Sequence, residues 1–381
     1  MASVRGGAED AVGGVVPAEV VAPATADEVA EVLRSTGGSV VPVGAATKTG
    51  WAARPASCDV LLRTTGLDRI VAHEPGDLVV VAEAGVTLGA LQRHLAGHGQ
   101  MLALDPPEEG ATLGGIVGAN ASGPRRLRYG TVRDLLIGVT VARADGTLAR
   151  SGGKVVKNVA GYDLGKLYTG AHGGLGVVVS TVWRLHPLPR AAGAVSVPVA
   201  GPAEAGRLAG LVARSTLTPS AVELRFAPGG GGDLVLLFES IEASVRAQSA
   251  QARALLGGGS ELPAVPGWFG RRPAGPLVLR LAYEPAALAA VLAALPEGAS
   301  GTASACTGVA YAAVDADTDL GALRAALAPY DGSAVVLAAP EPLDAAAHWG
   351  PVADSFGLMT RVKDQFDPAR RLSPGRLLGG L

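Results

Sequence analysis

Aromatic side chains are scarce, at 4% of 381 residues, so a core here must be built mainly from Val, Leu and Ala. Cysteine is nearly absent: Cys58 and Cys306 stand far apart and in no metal-type spacing. That excludes a disulfide scaffold and offers no zinc or iron–sulfur ligand set, so no metal site is expected. The formal charge is only −2, and no basic surplus draws the chain as a whole to nucleic acid or anionic lipid. No apolar run is long enough to cross a bilayer. Glu9 and Asp10 interrupt the N-terminal stretch, which therefore does not read as a secretory signal. These absences predict a cytoplasmic protein without direct membrane insertion. Contact with the inner face of a membrane would be peripheral and made through partners.

Glycine is what the chain has in excess, with 54 residues in clusters of no fixed period. Collagen is excluded, and the clusters mark places where backbone turns sharply or approaches something closely. The length suits two domains rather than one core. Thr25-Ala26-Asp27-Glu28 is a capping box that opens a helix with Val29, Val32 and Leu33 on one face. Short apolar strands are expected at 39–43, 60–63, 69–73 and 78–82, then a helix at 88–95. Strands at 136–142, 147–150 and 177–185 follow, flanking a glycine-rich stretch at 151–176.

After Pro187-Leu188-Pro189 the pattern changes. Residues 194–338 read as two passes of strand, helix, strand, strand, helix, with a closing strand at 333–338 and a linker at 257–275. That doubling suggests two ferredoxin-like halves sharing one antiparallel sheet. The expected division is 1–190, a cofactor domain; 191–345, a cap; and 346–381, a helix and tail returning to the first domain. The fold class is α+β.

Three loops of small residues lie in the first domain. The loop at 44–50 leaves a strand, carries hydroxyls at Thr47 and Thr49, and adds the cation Lys48. Such a loop can surround a pyrophosphate with backbone N–H groups, although an ordinary strand-end turn has the same composition. In the second, residues 111–123, Gly114 and Gly115 could offer paired amides to an anion. Ala119, Asn120, Ala121 and Gly123 would let backbone lie flat on a planar ring. A tight helix crossing is the competing reading. The third, residues 170–176, precedes a strand, whereas a Rossmann glycine loop follows one, so a nicotinamide-type Rossmann site is rejected.

Residues 41–185 resemble the flavin domain of the vanillyl-alcohol-oxidase family, also called PCMH-type. Three further runs resemble the FAD-binding subunits of bacterial glycolate oxidases, smaller relatives of D-lactate dehydrogenase-type flavoproteins. They are Arg128-Tyr129-Gly130-Thr131-Val132-Arg133-Asp134, the run from Lys154 through Asn158-Val159-Ala160-Gly161-Tyr162-Asp163, and Phe366-Asp367-Pro368 with Pro374-Gly375-Arg376. The resemblance implies a two-subdomain PCMH-type FAD-binding domain with a ferredoxin-like antiparallel α+β cap. By it, Val43, Gly44, Ala45, Ala46, Thr47 and Lys48 match the first pyrophosphate loop. Thr112, Gly114, Gly115, Ala119, Asn120 and Gly123 match the second flavin-cradling segment. Gly174, Gly176 and Val177 match the segment running past flavin and adenine. Covalent relatives attach FAD through a His in the first loop or a Cys in the second; here stand Ala45 and Ala46, and no Cys, so non-covalent FAD is expected.

The resemblance further implies oxidation of a 2-hydroxy acid such as glycolate or D-lactate. Electrons would pass to partner subunits, a larger flavoprotein and an iron–sulfur protein. Catalytic relatives carry a His-x-x-Asp-Gly-Asn metal motif in the cap, which this chain lacks. Candidates for a base are Tyr162 and His348, and for a carboxylate clamp Arg128, Arg225 and Arg361. Arg125, Arg126 and Arg128 could instead dock a partner. The alternatives are a non-catalytic flavin-bearing scaffold or electron relay, or a stand-alone FAD-linked oxidase of another alcohol.

Overall fold

Thr25 caps the helix Ala26–Ser35 as its sequence dictates: its hydroxyl accepts from Glu28 N at 3.2 Å, and the Glu28 carboxylate accepts from Thr25 N at 3.2 Å. The helix buries Val29 and Leu33 in a cluster with Val40 and Leu62 on one side and Val177 and Val179 on the other. It therefore sits between two sheets. The computed structural model describes residues 3–153, 162–229 and 231–381. The run from Lys154 to Gly161, where the glycolate-oxidase resemblance is most specific, lies outside the described residues.

The first sheet orders Ser3–Arg5, Glu19–Val21, Val60–Arg63 and Val40–Val43, the last three parallel. The second is antiparallel and orders Ile70–Glu74, Val79–Glu83, Val177–Arg184, Leu136–Ala142 and Leu148–Gly152. Its middle strand, Val177–Arg184, alternates buried and half-buried positions, as period-2 side chains on a covered sheet must.

Besides a two-stranded pairing of Gln100–Met101 with His186–Pro187, a third large sheet has eight strands, all drawn from residues 191–338. The first half supplies Ala191–Val199, Ala221–Phe226, Gly232–Ser240 and Ser260–Leu262; the second supplies Leu277–Ala282, Ser300–Ser304, Val309–Val314 and Ser333–Ala338. Each half is a complete β-α-β-β-α-β unit, and the two join where Ala221–Phe226 pairs antiparallel with Ser300–Ser304. The expectation of a plain linker at 257–275 is corrected here. Ser260–Leu262 pairs with Ala194–Ser196 and closes the first half. Three residues after a glycine run give too short a pattern for periodicity to find. The helices Pro202–Ala213, Glu242–Leu256, Leu288–Ala293 and Leu320–Leu327 pack on this sheet around Leu224, Phe238 and Leu279.

The tail returns to the first sheet. Val40 N donates to Arg371 O at 2.8 Å and Ser373 N to Val40 O at 2.9 Å, beside the bridge between Val40 and Leu372. The helix Phe356–Phe366 is anchored by Lys363, whose ammonium donates to Gly174 O (2.7 Å), Leu372 O (2.8 Å) and Asp367 Oδ2 (2.7 Å). Lys363 and Asp367 are 1% and 0% exposed, so every donor of this buried charge is used. Removing one partner of such a pair strands the other and costs about 3–5 kcal/mol.

Candidate functional site

A groove opens at the C-terminal end of the strand Val40–Val43. Its walls come from residues 41–49, from Thr112 to Ala119, from His172 to Val178, and from Arg376 of the tail. Val43, Gly44, Ala45, Ala46, Thr47, Lys48, Thr112, Gly114, Gly115, Ala119, Gly176 and Val177 all line it.

Residues 45–48 are the available donors. Their backbone amides meet no protein acceptor in hydrogen-bond geometry among the described residues. Ala46 holds φ at 59°, a left-handed conformation uncommon for a residue with a Cβ. Successive amides around such a residue turn toward one point and form an anion-binding concavity. Lys48 is 8% exposed, and its ammonium donates to Thr47 Oγ1 at 2.9 Å. Burial lowers its pKa to about 8, with Glu108 pulling the other way.

The second segment corrects the expectation of a loop with free paired amides. It is a helix, Leu113–Ala119, with Thr112 as its cap. Leu113 N donates to Val86 O (2.9 Å), Gly114 N to Ala84 O (2.8 Å) and Gly115 N to Thr112 Oγ1 (3.3 Å). The first-turn donors are therefore consumed within the protein. Asn120 ends the helix in the left-handed conformation (φ 49°), and its Oδ1 is buried without a partner, outside the groove lining. Gly123 and Gly174 do not line the groove either. A Cβ on Gly123 would lie 2.0 Å from Asp105 O, and one on Gly174 2.8 Å from Leu377 Cδ1, so both are small because protein packs on them. The open space belongs to Gly118, where a Cβ would meet nothing within 4 Å.

The groove also holds residues that sequence reasoning missed. Arg376, 4% exposed, donates from Nη2 to Thr49 O at 2.7 Å, while its Nη1 is buried and unpartnered. Burial lowers its pKa to about 10, so it stays a cation. His172, at φ 46°, has its pKa driven to about 3 by burial and by the charges of Arg376 and His348, and is neutral. Arg376 stood inside a motif noted only for the tail. No local spacing connects residue 376 to residue 49.

The proposed catalytic candidates scatter. Tyr162 is 90% exposed and does not line the groove. His348 is buried against Trp349 (ring centroids 4.7 Å apart), and burial lowers its pKa to about 4. Arg128 donates to the carbonyls of Thr218 (3.4 Å) and Glu239 (3.3 Å) and lines a different groove with His186. Arg225 pairs with Asp233 at 2.7 Å, and Arg361 lies at an exposed position. The reading of Arg125, Arg126 and Arg128 as a docking patch is also corrected. Arg125 forks onto the buried Glu239 at 3.1 and 2.6 Å, so it and Arg128 tie the first half to the eight-stranded sheet, while Arg126 donates locally to the carbonyls of Ser122 and Gly123.

Between those halves, next to the Lys48 end of the groove, sits Arg272. Its guanidinium carbon is 4.1 Å from the Trp51 ring centroid and 4.2 Å from that of Tyr311. Nε donates to Glu108 Oε1 at 2.5 Å, while Nη1 and Nη2 are buried without an acceptor in hydrogen-bond geometry. Burial raises the Tyr311 pKa, but the charges of Arg272, Arg126 and Arg280 outweigh it and hold the phenol at about 8.

The fold is of the PCMH FAD-binding type, and FAD is the cofactor. Residues 17–152 match the family model of the FAD binding domain. A stretch of 124 residues is 43% identical to "Glycolate oxidase subunit GlcE" of Escherichia coli (strain K12), covering 32% of this chain and 35% of that protein. "Glycolate oxidase subunit GlcD" of Bacillus subtilis is 32% identical over 46% of this chain and 38% of its own length. The "D-lactate dehydrogenase" of Archaeoglobus fulgidus is 32% identical over 54% of this chain and 46% of its own. The chain thus spans between about a third and a half of these relatives. Among solved structures, an alkyldihydroxyacetonephosphate synthase superposes with a TM-score of 0.70 at 15% identity, over 95% of this chain and 78% of that one, a likeness of fold alone. No helix among the described residues is long and apolar enough to cross a membrane.

The groove fits a dinucleotide on its own terms. It offers unused amides at 45–48, a buried cation with a spare N–H at Arg376, and open space over Gly118.

Proposed function

We propose that this chain is the FAD-bearing subunit of a glycolate-oxidase-like complex and takes part in oxidising a 2-hydroxy acid, glycolate or D-lactate. A larger flavoprotein and an iron–sulfur subunit would carry the electrons onward. FAD is held without a covalent link by residues 43–48, Thr112, Ala119, Gly176 and Val177, with Arg376 added to the expected set. Bound there, FAD supplies the two-electron acceptor that the oxidation needs.

The observation that carries the substrate reading is the guanidinium of Arg272. A buried planar fork clamped between two rings, with the Tyr311 hydroxyl as its neighbour, fits a carboxylate. Tyr311 lies against the same fork. With its pKa at about 8, its phenolate can take the hydroxyl proton of a bound 2-hydroxy acid. The cap contributes both residues, consistent with a site between a cofactor half and a lid.

A second reading has one specific observation behind it. Residues 191–345 contain no histidine, so the metal motif of catalytic relatives cannot be built there. On that reading the chain is a flavin-bearing scaffold or relay. Anaerobic mixing of the purified, FAD-loaded chain with glycolate or D-lactate separates the two. The substrate reading expects the flavin band to bleach without any partner. A flavin that bleaches only after the larger flavoprotein is added assigns the chemistry to the partner.

A further inference from the structure

Three histidines, one on an edge strand and two a helical turn apart, meet on the first half of the chain, and none of them lines the groove. His73 lies on the edge strand Ile70–Glu74. His94 lies in the last turn of the helix Leu88–Ala96, and His98 follows one turn later, at the i+4 position just past the helix end. Their ring centroids are 5.2, 4.7 and 5.5 Å apart, and one ring nitrogen from each lies within 4.8 Å of the others.

The hydrogen bonds around the cluster settle which nitrogens carry lone pairs. Pro75 O can only accept, so the nitrogen of the Gln100 amide must face it, at 2.8 Å. The Gln100 oxygen then faces His73 Nε2 at 2.9 Å, which requires the proton on Nε2. His73 Nδ1 is left with a lone pair, and it is buried without any partner. His98 repeats the pattern: its Nδ1 faces His94 O at 3.3 Å, which accepts, so its lone pair is on Nε2. An imidazole whose N–H is tied to a carbonyl while its other nitrogen is free has the arrangement of a metal ligand with its orienting partner.

We propose that His73, His94 and His98 form a binding site for a borderline divalent cation of the zinc class, with a fourth coordination position open to solvent beside the exposed His98. Three imidazoles without a carboxylate select zinc, nickel or copper over magnesium or calcium. Tetrahedral coordination with bonds of ~2.1 Å places ring centroids roughly 5 Å apart, close to the spacing observed. Tetrahedral bonds of that length put the nitrogens about 3.4 Å apart, so separations of up to 4.8 Å must close by up to about 1.4 Å, through rotamer changes of more than one of the three rings. A bound ion would fasten the edge strand Ile70–Glu74 to the helix Leu88–Ala96.

The test is titration of the full-length, FAD-loaded, chelator-stripped protein with zinc chloride, followed by calorimetry. Wild type is expected to take up one equivalent saturably. His98→Ala, at an exposed position, is expected to weaken uptake by at least tenfold while FAD content stays unchanged. Gln100→Met, which frees the His73 tautomer, is expected to weaken it by about 10–100-fold. Absence of saturable uptake, or uptake unaltered in His98→Ala, would overturn the proposal. X-ray absorption at the zinc edge of wild type decides independently of any variant: a shell of three imidazole nitrogens supports the site, and a shell of oxygens alone rules it out.

Discussion

Arg376→Met is expected to purify folded but largely free of FAD. The wild-type guanidinium is 4% exposed, lines the groove, holds Thr49 O with one N–H at 2.7 Å and leaves Nη1 buried without a partner. A buried cation with an unused donor is unfavourable for the empty protein and favourable for an anion beside it. Removing it deletes a charge-assisted hydrogen bond worth about 1.5–3 kcal/mol, roughly 10–100-fold in dissociation constant. Stability of the apoprotein should change much less, because a buried charge disappears together with its one hydrogen bond. FAD titration monitored by flavin fluorescence, alongside thermal unfolding of the same variant, checks both halves. Equal FAD affinity in variant and wild type would remove Arg376 from the cofactor site.

Arg272→Met is expected to have the opposite signature. FAD should be retained, while flavin reduction by a 2-hydroxy acid slows by about 10²–10³-fold, the scale for losing a preorganised charge partner. Arg272 also pairs with Glu108 at 2.5 Å, where the two side chains are 14% and 13% exposed, so the single variant strands a carboxylate. The double variant with Glu108→Gln restores charge balance and isolates the substrate effect. Tyr311→Phe gives the pH test. A phenol held at about 8 acts as a base only when deprotonated, so wild-type reduction should speed up as pH rises toward 8 and level off above it. The variant should be slow and lack that rise. Retained reduction in Arg272→Met would move the substrate elsewhere.

Much of the fold was legible because the patterns are local. The capping box at Thr25 set the helix start, and the doubled β-α-β-β-α order followed from periodicity alone. The first loop was legible only through the family resemblance, because an ordinary strand-end turn has the same composition. The second segment misled for a physical reason. Helix packing and ligand approach both demand small residues, and only the hydrogen bonds of Gly114 and Gly115 show that packing is served here. Arg272, Tyr311 and Arg376 were illegible because each acts across the fold. Arg272 meets Glu108 and Trp51 only through the packing of residues 191–338 on the first half, and Arg376 reaches Thr49 only when the tail returns.

The decisive measurement is the structure of the FAD-bound protein. Pyrophosphate oxygens are expected within hydrogen-bond distance of the amides of residues 45–48 and of Arg376 Nη1. A pyrophosphate seated instead on the first turn of the helix Leu113–Ala119, with those amides still vacant, would contradict the account.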